Sequence, residues 1–277
     1  VTADISGVRV VGVGEARNRP TFTFSTTAAD IDVTGANITF ENIVWDLTGV
    51  DAVVSALDLG AAGFTLKNCE VIMAGASAQA TNFITTDASC NRLRIAGNKL
   101  QATTAGAASA ISLAGTPDDV EIDNNYFYGD FSLATISNPT ANILTNLRIH
   151  HNYLQNDNNG NWAIELVSAS TGVIHDNMCV TDAIATAVDW GSCSSFNNLY
   201  FDDGDTDSNA TPLPLAVTTG GVSLDNIQDA LIGADGIATM PAAAVPANAV
   251  NVFELLREIW AVLNGTAANE NGLQAFP

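Results

Sequence analysis

Three hexapeptides decide the fold: L-R-I-A-G-N at residues 93–98, V-E-I-D-N-N at 120–125 and L-R-I-H-H-N at 147–152. Each alternates apolar and polar residues, as a strand with one buried face does, then reaches a turn residue followed by Asn. The pattern recurs earlier as V-R-V-V-G-V from Val8, I-T-F-E-N-I from Ile38 and F-T-L-K-N-C from Phe64, and later as V-I-H-D-N from Val173 and S-F-N-N-L from Ser195. The second apolar residue of each copy serves as an anchor. The anchors are Val10, Phe40, Leu66, Ile95, Ile122, Ile149, Ile174 and Phe196, spaced by 30, 26, 29, 27, 27, 25 and 22 residues. Such uneven spacing fits a coil that takes up insertions in its loops.

A second apolar run follows most anchors, at residues 21–24, 56–59, 82–84, 110–113, 134–136, 163–166 and 187–190. Each period therefore carries at least two short strands and no strong amphipathic helix. That excludes helix-containing leucine-rich and ankyrin arrays and leaves a β-solenoid. One coil presents an inward apolar row that it cannot bury alone, so coils stack. At about 4.8 Å per coil, eight would make a rod on the order of 40 Å long. Asn98, Asn125, Asn152 and Asn177 fall three residues after their anchors, and Asn42, Asn68, Asn124 and Asn198 fall two after. Asn tolerates the left-handed backbone of a sharp bend, and stacked copies would form amide ladders along one corner. These are read as structural turn residues.

The repeated pattern resembles the pectin-lyase-like superfamily of right-handed parallel β-helices over roughly residues 5–218. The expected fold class is all-β: a right-handed parallel β-helix, a single-stranded solenoid of about eight rungs over residues 1–218, with a short C-terminal helical tail for docking or oligomerisation over 219–277.

Composition narrows the function. Of 277 residues, 47% are hydrophobic and only 14% charged, against about 25% in an average chain. Thirty acidic and nine basic residues give a net charge of −21, a field that repels nucleic acid and anionic membranes. No apolar run reaches the roughly 18 residues of a membrane span, and no charged-then-apolar signal segment stands at the start. Cys69, Cys90, Cys179 and Cys193 form no CxxC pair and read as buried core residues, with disulfide pairing left open.

In the tail, residues 223–232 (S-L-D-N-I-Q-D-A-L-I) read as a short helix capped by Ser223, and 238–249 as an Ala/Pro linker. Residues 251–263 form the clearest helix, with Asn251 as cap, Glu254 at the third helical position and Asn264-Gly265 as stop. Its stripe of Val252, Leu256, Ile259 and Leu263, widened by Phe253 and Trp260, either caps the solenoid or contacts another chain. The segment D-G-I-A-T-M-P-A-A-A-V-P-A-N-A-V-N-V-F-E-L-L-R-E-I-W at 235–260 is similar to a linker of tailed-bacteriophage structural proteins. That resemblance implies a virion protein on the particle surface, a homo-oligomer with a trimer favoured, whose partners include other virion proteins such as the major capsid protein.

Many members of the resembled superfamily cleave acidic polysaccharides. Lyase chemistry would need a base beside Ca²⁺ held by carboxylates; the candidates are Lys67, Arg92, Arg94, Lys99 and Arg148. Hydrolysis would need paired carboxylates, and only Asp202-Asp203-Gly204 resembles a hydrolase motif. Neither set is complete, so no catalytic residue is assigned. His150 and His175 align on neighbouring rungs, whereas His150 and His151, adjacent on a strand, are expected on opposite faces. Asp203, Asp205, Asp207 and Asn209 have the spacing that opens a Ca²⁺ loop, although Ser208 replaces its Gly and Pro214 its closing Glu. No cofactor is expected, and Ca²⁺ at this loop is the one candidate. Tyr126, Tyr128, Tyr153 and Tyr200 form either a sugar-stacking row or a seal of the core corner. The expected function is a non-enzymatic virion structural protein, a capsid decoration or tail component. The alternative is a host-glycan-binding or polysaccharide-cleaving tailspike-like β-helix.

Overall fold

The anchors meet their counterparts directly: Val10 pairs with Phe40, Phe40 with Leu66, Leu66 with Ile95, Ile95 with Ile122, Ile122 with Ile149 and Ile149 with Ile174. From Phe40 to Ile174 all are buried. The row ends differently from the sequence pattern. Ile174 pairs with Ser195, and Phe196 pairs with His175 and is exposed. In S-S-F the apolar residue is the outward one, so hydrophobicity alone misplaces the last anchor by one residue.

The computed structural model describes residues 1–213 except 16–17, 74–79, 104–105, 139–141, 168 and 203–209. Within them the chain is a parallel β-solenoid of three sheets. The first stacks Thr2–Ala3, Ile31–Val33, Val53–Leu59, Ala80–Thr86, Ser109–Ser112, Ala134–Ser137, Trp162–Glu165 and Val188–Asp189. The second holds the anchors in Arg9–Val11, Thr39–Glu41, Thr65–Lys67, Arg94–Ala96, Glu121–Asp123, Leu147–His150, Gly172–His175 and Ser194–Phe196. The third, which sequence reading did not separate, stacks Thr21–Thr23, Val44–Asp46, Glu70–Ile72, Lys99–Ala102, Tyr126–Gly129, Tyr153–Asn156, Met178–Thr181 and Leu199–Asp202. Thr211–Pro212 closes it by an antiparallel pairing to Leu199 and Tyr200.

About six turns, from Ile31–Val33 through Met178–Thr181, have a neighbour on both sides. The expectation of about eight rungs is corrected accordingly. The end sets are reduced: Thr2–Ala3 and Val188–Asp189 are two residues long, and Thr21–Thr23 is exposed throughout. A strand with a partner on one side alone has half the ladder to hold it.

The corner between second and third sheets explains the Asn pattern, and divides it. Two residues after the anchor the backbone is left-handed, at Asn42, Asn68, Gly97, Asn124, His151, Asp176 and Asn197. Asn98, Asn125, Asn152, Asn177 and Asn198, one position further, are not left-handed residues but a buried column. Asn198 belongs to this column because its anchor is Ser195. The Asn125 side chain shows the arrangement. Its Oδ1 accepts from the Asn98 backbone N–H at 2.9 Å and Asn98 Nδ2 at 3.0 Å, while its Nδ2 donates to Ile95 O and to Asn152 Oδ1, each at 2.9 Å. Asn152 and Asn177 repeat the pattern, and Asn198 ends it on Ile174 O and Ser195 Oγ at 2.9 Å. At the start, Cys69 donates its backbone N–H to Asn98 Oδ1 at 2.9 Å.

The earlier turns are filled by aromatic rings instead. Trp45 packs edge-on against Phe40 and Phe83, with centroids 5.4 and 5.9 Å away. Rings of this size dominate a core's burial, and tilted pairs add about 0.5–1.5 kcal/mol each. All four cysteines are buried and free, and burial pushes the Cys90, Cys179 and Cys193 thiols up to about 12. The expected tail helices and linker, and their contact residues Val252, Phe253, Leu256, Ile259, Trp260 and Leu263, lie outside the described residues.

Replacing Asn152 by Ala removes the acceptor of the buried Asn125 N–H and of one Asn125 Nδ2 hydrogen, and one donor to the Ile122 carbonyl. Chemical denaturation should show a loss of about 3 kcal/mol or more. Asn124→Gly, at the left-handed position, should change stability by no more than about 0.5 kcal/mol.

Candidate functional site

The left-handed corner residue interrupts the in-out alternation, so the two residues after each anchor both face outward. Along the solenoid this makes two outer rows, and over the turns of Ile122, Ile149, Ile174 and Ser195 they carry the densest chemistry among the described residues.

All three histidines of the chain gather there. His150 and His175 pair across turns and stack with centroids 4.9 Å apart at 13°. His175 stacks in turn on Phe196 at 4.7 Å and 7°. His151 does not take the opposite face, as simple alternation predicts. At φ 55° it turns outward beside its neighbour, with Nδ1 2.9 Å from His150 Nδ1. Asp176, the next residue along that corner, has φ 53°; its Oδ2 lies 2.7 Å from His175 Nδ1 and 3.8 Å from His151 Nε2. Glu121 closes the group, with Oε1 3.7 Å from His150 Nε2. Among the described residues, His151, His175 and Asp176 could hold a metal ion, since one ligand atom from each lies within 4.8 Å of the others. The sequence signal for His151 was present: L-R-I-A-G-N and V-E-I-D-N-N put Gly97 and Asn124 at its position, which marks a left-handed bend.

The electrostatics follow the geometry. The hydrogen bond from His175 holds the Asp176 carboxyl below the usual carboxylate range. Burial, and then the nearby charge of His175, push the His150 imidazole below its ordinary value.

Beside the histidines, Tyr126 and Tyr153 stack at 4.5 Å and 8° on the third sheet, with Tyr126 46% exposed. Tyr153 donates its hydroxyl proton to Gln155 Oε1 at 2.6 Å, and Gln155 donates to Asp157 Oδ1 at 2.7 Å. Burial raises Tyr153 first of all, whereas the charge of Asp157 is the main cause at Tyr128. Tyr200 is different: it is buried and donates to Thr181 O at 3.2 Å, so it seals the core.

The candidate lyase bases are held by carboxylates of adjacent turns. Lys67 Nζ is 3.7 Å from Glu41 Oε1, Lys99 Nζ is 3.8 Å from Glu70 Oε1, and Arg94 Nε is 3.5 Å from Asp123 Oδ1. Arg148 reaches Asp119 at 2.7 Å and Glu121 at 3.7 Å. Arg9 pairs with Glu41 and holds its carboxyl below the usual range, and Arg19 pairs with Glu70. Arg92 occupies a left-handed turn at φ 57°. The Ca²⁺ loop candidates Asp203, Asp205, Asp207 and Asn209 lie outside the described residues. Comparison with protein-family models, with curated proteins and with solved structures returns no match to this chain.

The folded chain disfavours the charged form of His150, so the unfolded chain binds that proton more readily. Stability from this group is present above the ordinary imidazole pKa and is lost as pH falls through it. Thermal melts at about pH 7 and about pH 5 should show a drop in midpoint on acidification that is smaller in His150→Gln than in the wild type.

Proposed function

We propose that the chain is a non-enzymatic structural protein of a bacteriophage particle, a capsid decoration or tail component displayed on the particle surface as a homo-oligomer. The observation that carries this reading is the ion-paired wall. Lys67, Arg94, Lys99 and Arg148, the side chains that polysaccharide chemistry would call on, each bind carboxylates of neighbouring turns. Cations used that way lock turn to turn. The phage setting rests on the likeness of residues 235–260 to linkers of tailed-phage structural proteins. The first turn adds support for contact with another chain: exposed Ile5 lines a recess with Val8, Val10, Ile38 and Phe40, and Val11 and Phe22 are exposed on the end strands of two sheets. Unpaired strand edges of this kind are templates for further pairing.

One observation favours a second reading. The exposed Tyr126–Tyr153 stack offers flat apolar rings beside Gln155 and Asp157, the pairing of surfaces that sugar recognition uses. In that case the solenoid is a glycan-binding element of a host-recognition spike.

Light scattering of the full chain and of a version ending at Val217 tests the first reading. A trimer that becomes a monomer on truncation is expected; a monomer in both removes the self-assembly function. Incubation with polygalacturonate and with bacterial capsular glycans should release neither unsaturated uronates nor reducing ends. Release of either overturns the non-enzymatic assignment, and glycan-array binding lost in Tyr126→Ala moves the weight to the second reading.

A further inference from the structure

We propose that His151, His175 and Asp176 form a surface site for a divalent first-row transition ion of the zinc type. Imidazole and carboxylate together suit such an ion, whereas Ca²⁺ prefers six or more oxygens.

The geometry is close to what coordination needs. Bond lengths of about 2.0–2.2 Å in a tetrahedral site put neighbouring donors about 3.3 Å apart. His175 Nδ1 and Asp176 Oδ2 stand at 2.7 Å, and His151 Nε2 and Asp176 Oδ2 at 3.8 Å. Shifts of about 0.5 Å bring both to the required spacing. Small rotations of His151, exposed at the corner, and of half-buried Asp176 supply them. Water would complete the coordination shell.

The surroundings orient the ligands. A ligating histidine usually has its other ring nitrogen fixed by a hydrogen bond. One set of tautomers leaves the required lone pair of His151 free for the ion. His150 directs its Nε2–H toward Glu121 and offers Nδ1 as acceptor. His151 then donates its Nδ1–H to it across 2.9 Å, which leaves the lone pair of His151 Nε2 facing Asp176. His175 is clamped between the rings of His150 and Phe196. On binding, the single proton of a neutral His175 moves from Nδ1 to Nε2, which frees the Nδ1 lone pair, and the ion takes the place of that proton beside Asp176. The three ligands belong neither to the tail nor to the ion-paired wall, so the site stands apart from the proposed structural role.

Calorimetric titration of the full chain with zinc chloride tests it. One ion per chain with affinity in the micromolar range is expected, together with a rise in thermal midpoint when zinc is present. His151→Asn and Asp176→Asn keep residues that tolerate the left-handed backbone, so both should fold. Each should weaken zinc at least tenfold, and His150→Gln, which removes the positioning contact, should weaken it by about tenfold. Circular dichroism of the metal-free variants checks that the solenoid is intact. Absence of binding at millimolar zinc overturns the proposal. So does equal affinity in the wild type and both Asn variants, since the ion would then be collecting on the acidic surface.

Discussion

A buried carboxamide has one acceptor and two donor hydrogens, and an interior that hides it must satisfy them all. Stacking Asn98, Asn125, Asn152, Asn177 and Asn198 at one corner answers this demand with the chain's own repeat: each amide from Asn98 to Asn177 is completed by the turn before and the turn after, and Asn198 by the turn before and its own Ser195. The other features depend on that register. It fixes which residue is the anchor, aligns the apolar rows of the sheets and holds the corner residues in place. A left-handed residue must stand between anchor and amide, because only there can the chain turn from one sheet to the next and still aim the amide inward.

The same corner organises the exterior. Two consecutive outward residues per turn produce parallel columns of side chains, spaced for contact between turns. In the later turns these columns carry stacked rings, and one residue before the anchors a further column carries alternating charge in Arg94, Glu121 and Arg148. With a net charge of −21, the few cations are concentrated in these wall contacts. Each exposed pair is worth little alone, about 0–1 kcal/mol, but successive turns share carboxylates such as Glu41, Glu70 and Glu121.

The parallel β-solenoid was legible because alternation and Asn recur together; neither alone would separate a strand repeat from an irregular chain. The anchors from Val10 to Ile174 were read correctly for that reason. Ser195 was missed because an apolar neighbour, Phe196, imitated the pattern while serving a ring stack outside. The third sheet escaped notice since its strands follow the Asn without a turn signal of their own. In the candidate site, the alignment of His150 with His175 followed from spacing. The placement of His151 required knowing that its backbone is left-handed, a property of the corner and not of histidine. The proximity of Asp176 followed from the same bend one turn later.

The column also governs how such a protein can change over generations. From Asn98 onward its members are 27, 27, 25 and 21 residues apart, so the column accepts turns of different length. Yet the three-residue step from anchor to amide is constant in all five turns, from Ile95 to Asn98 through Ser195 to Asn198. Insertions are absorbed in the loops, while one residue added inside the step would turn an amide out to water and an outward side chain into the core. The natural unit of evolutionary novelty is therefore a whole turn, gained or lost by duplication or deletion, and each gained turn brings with it two fresh outward positions on which new surface chemistry can be tried.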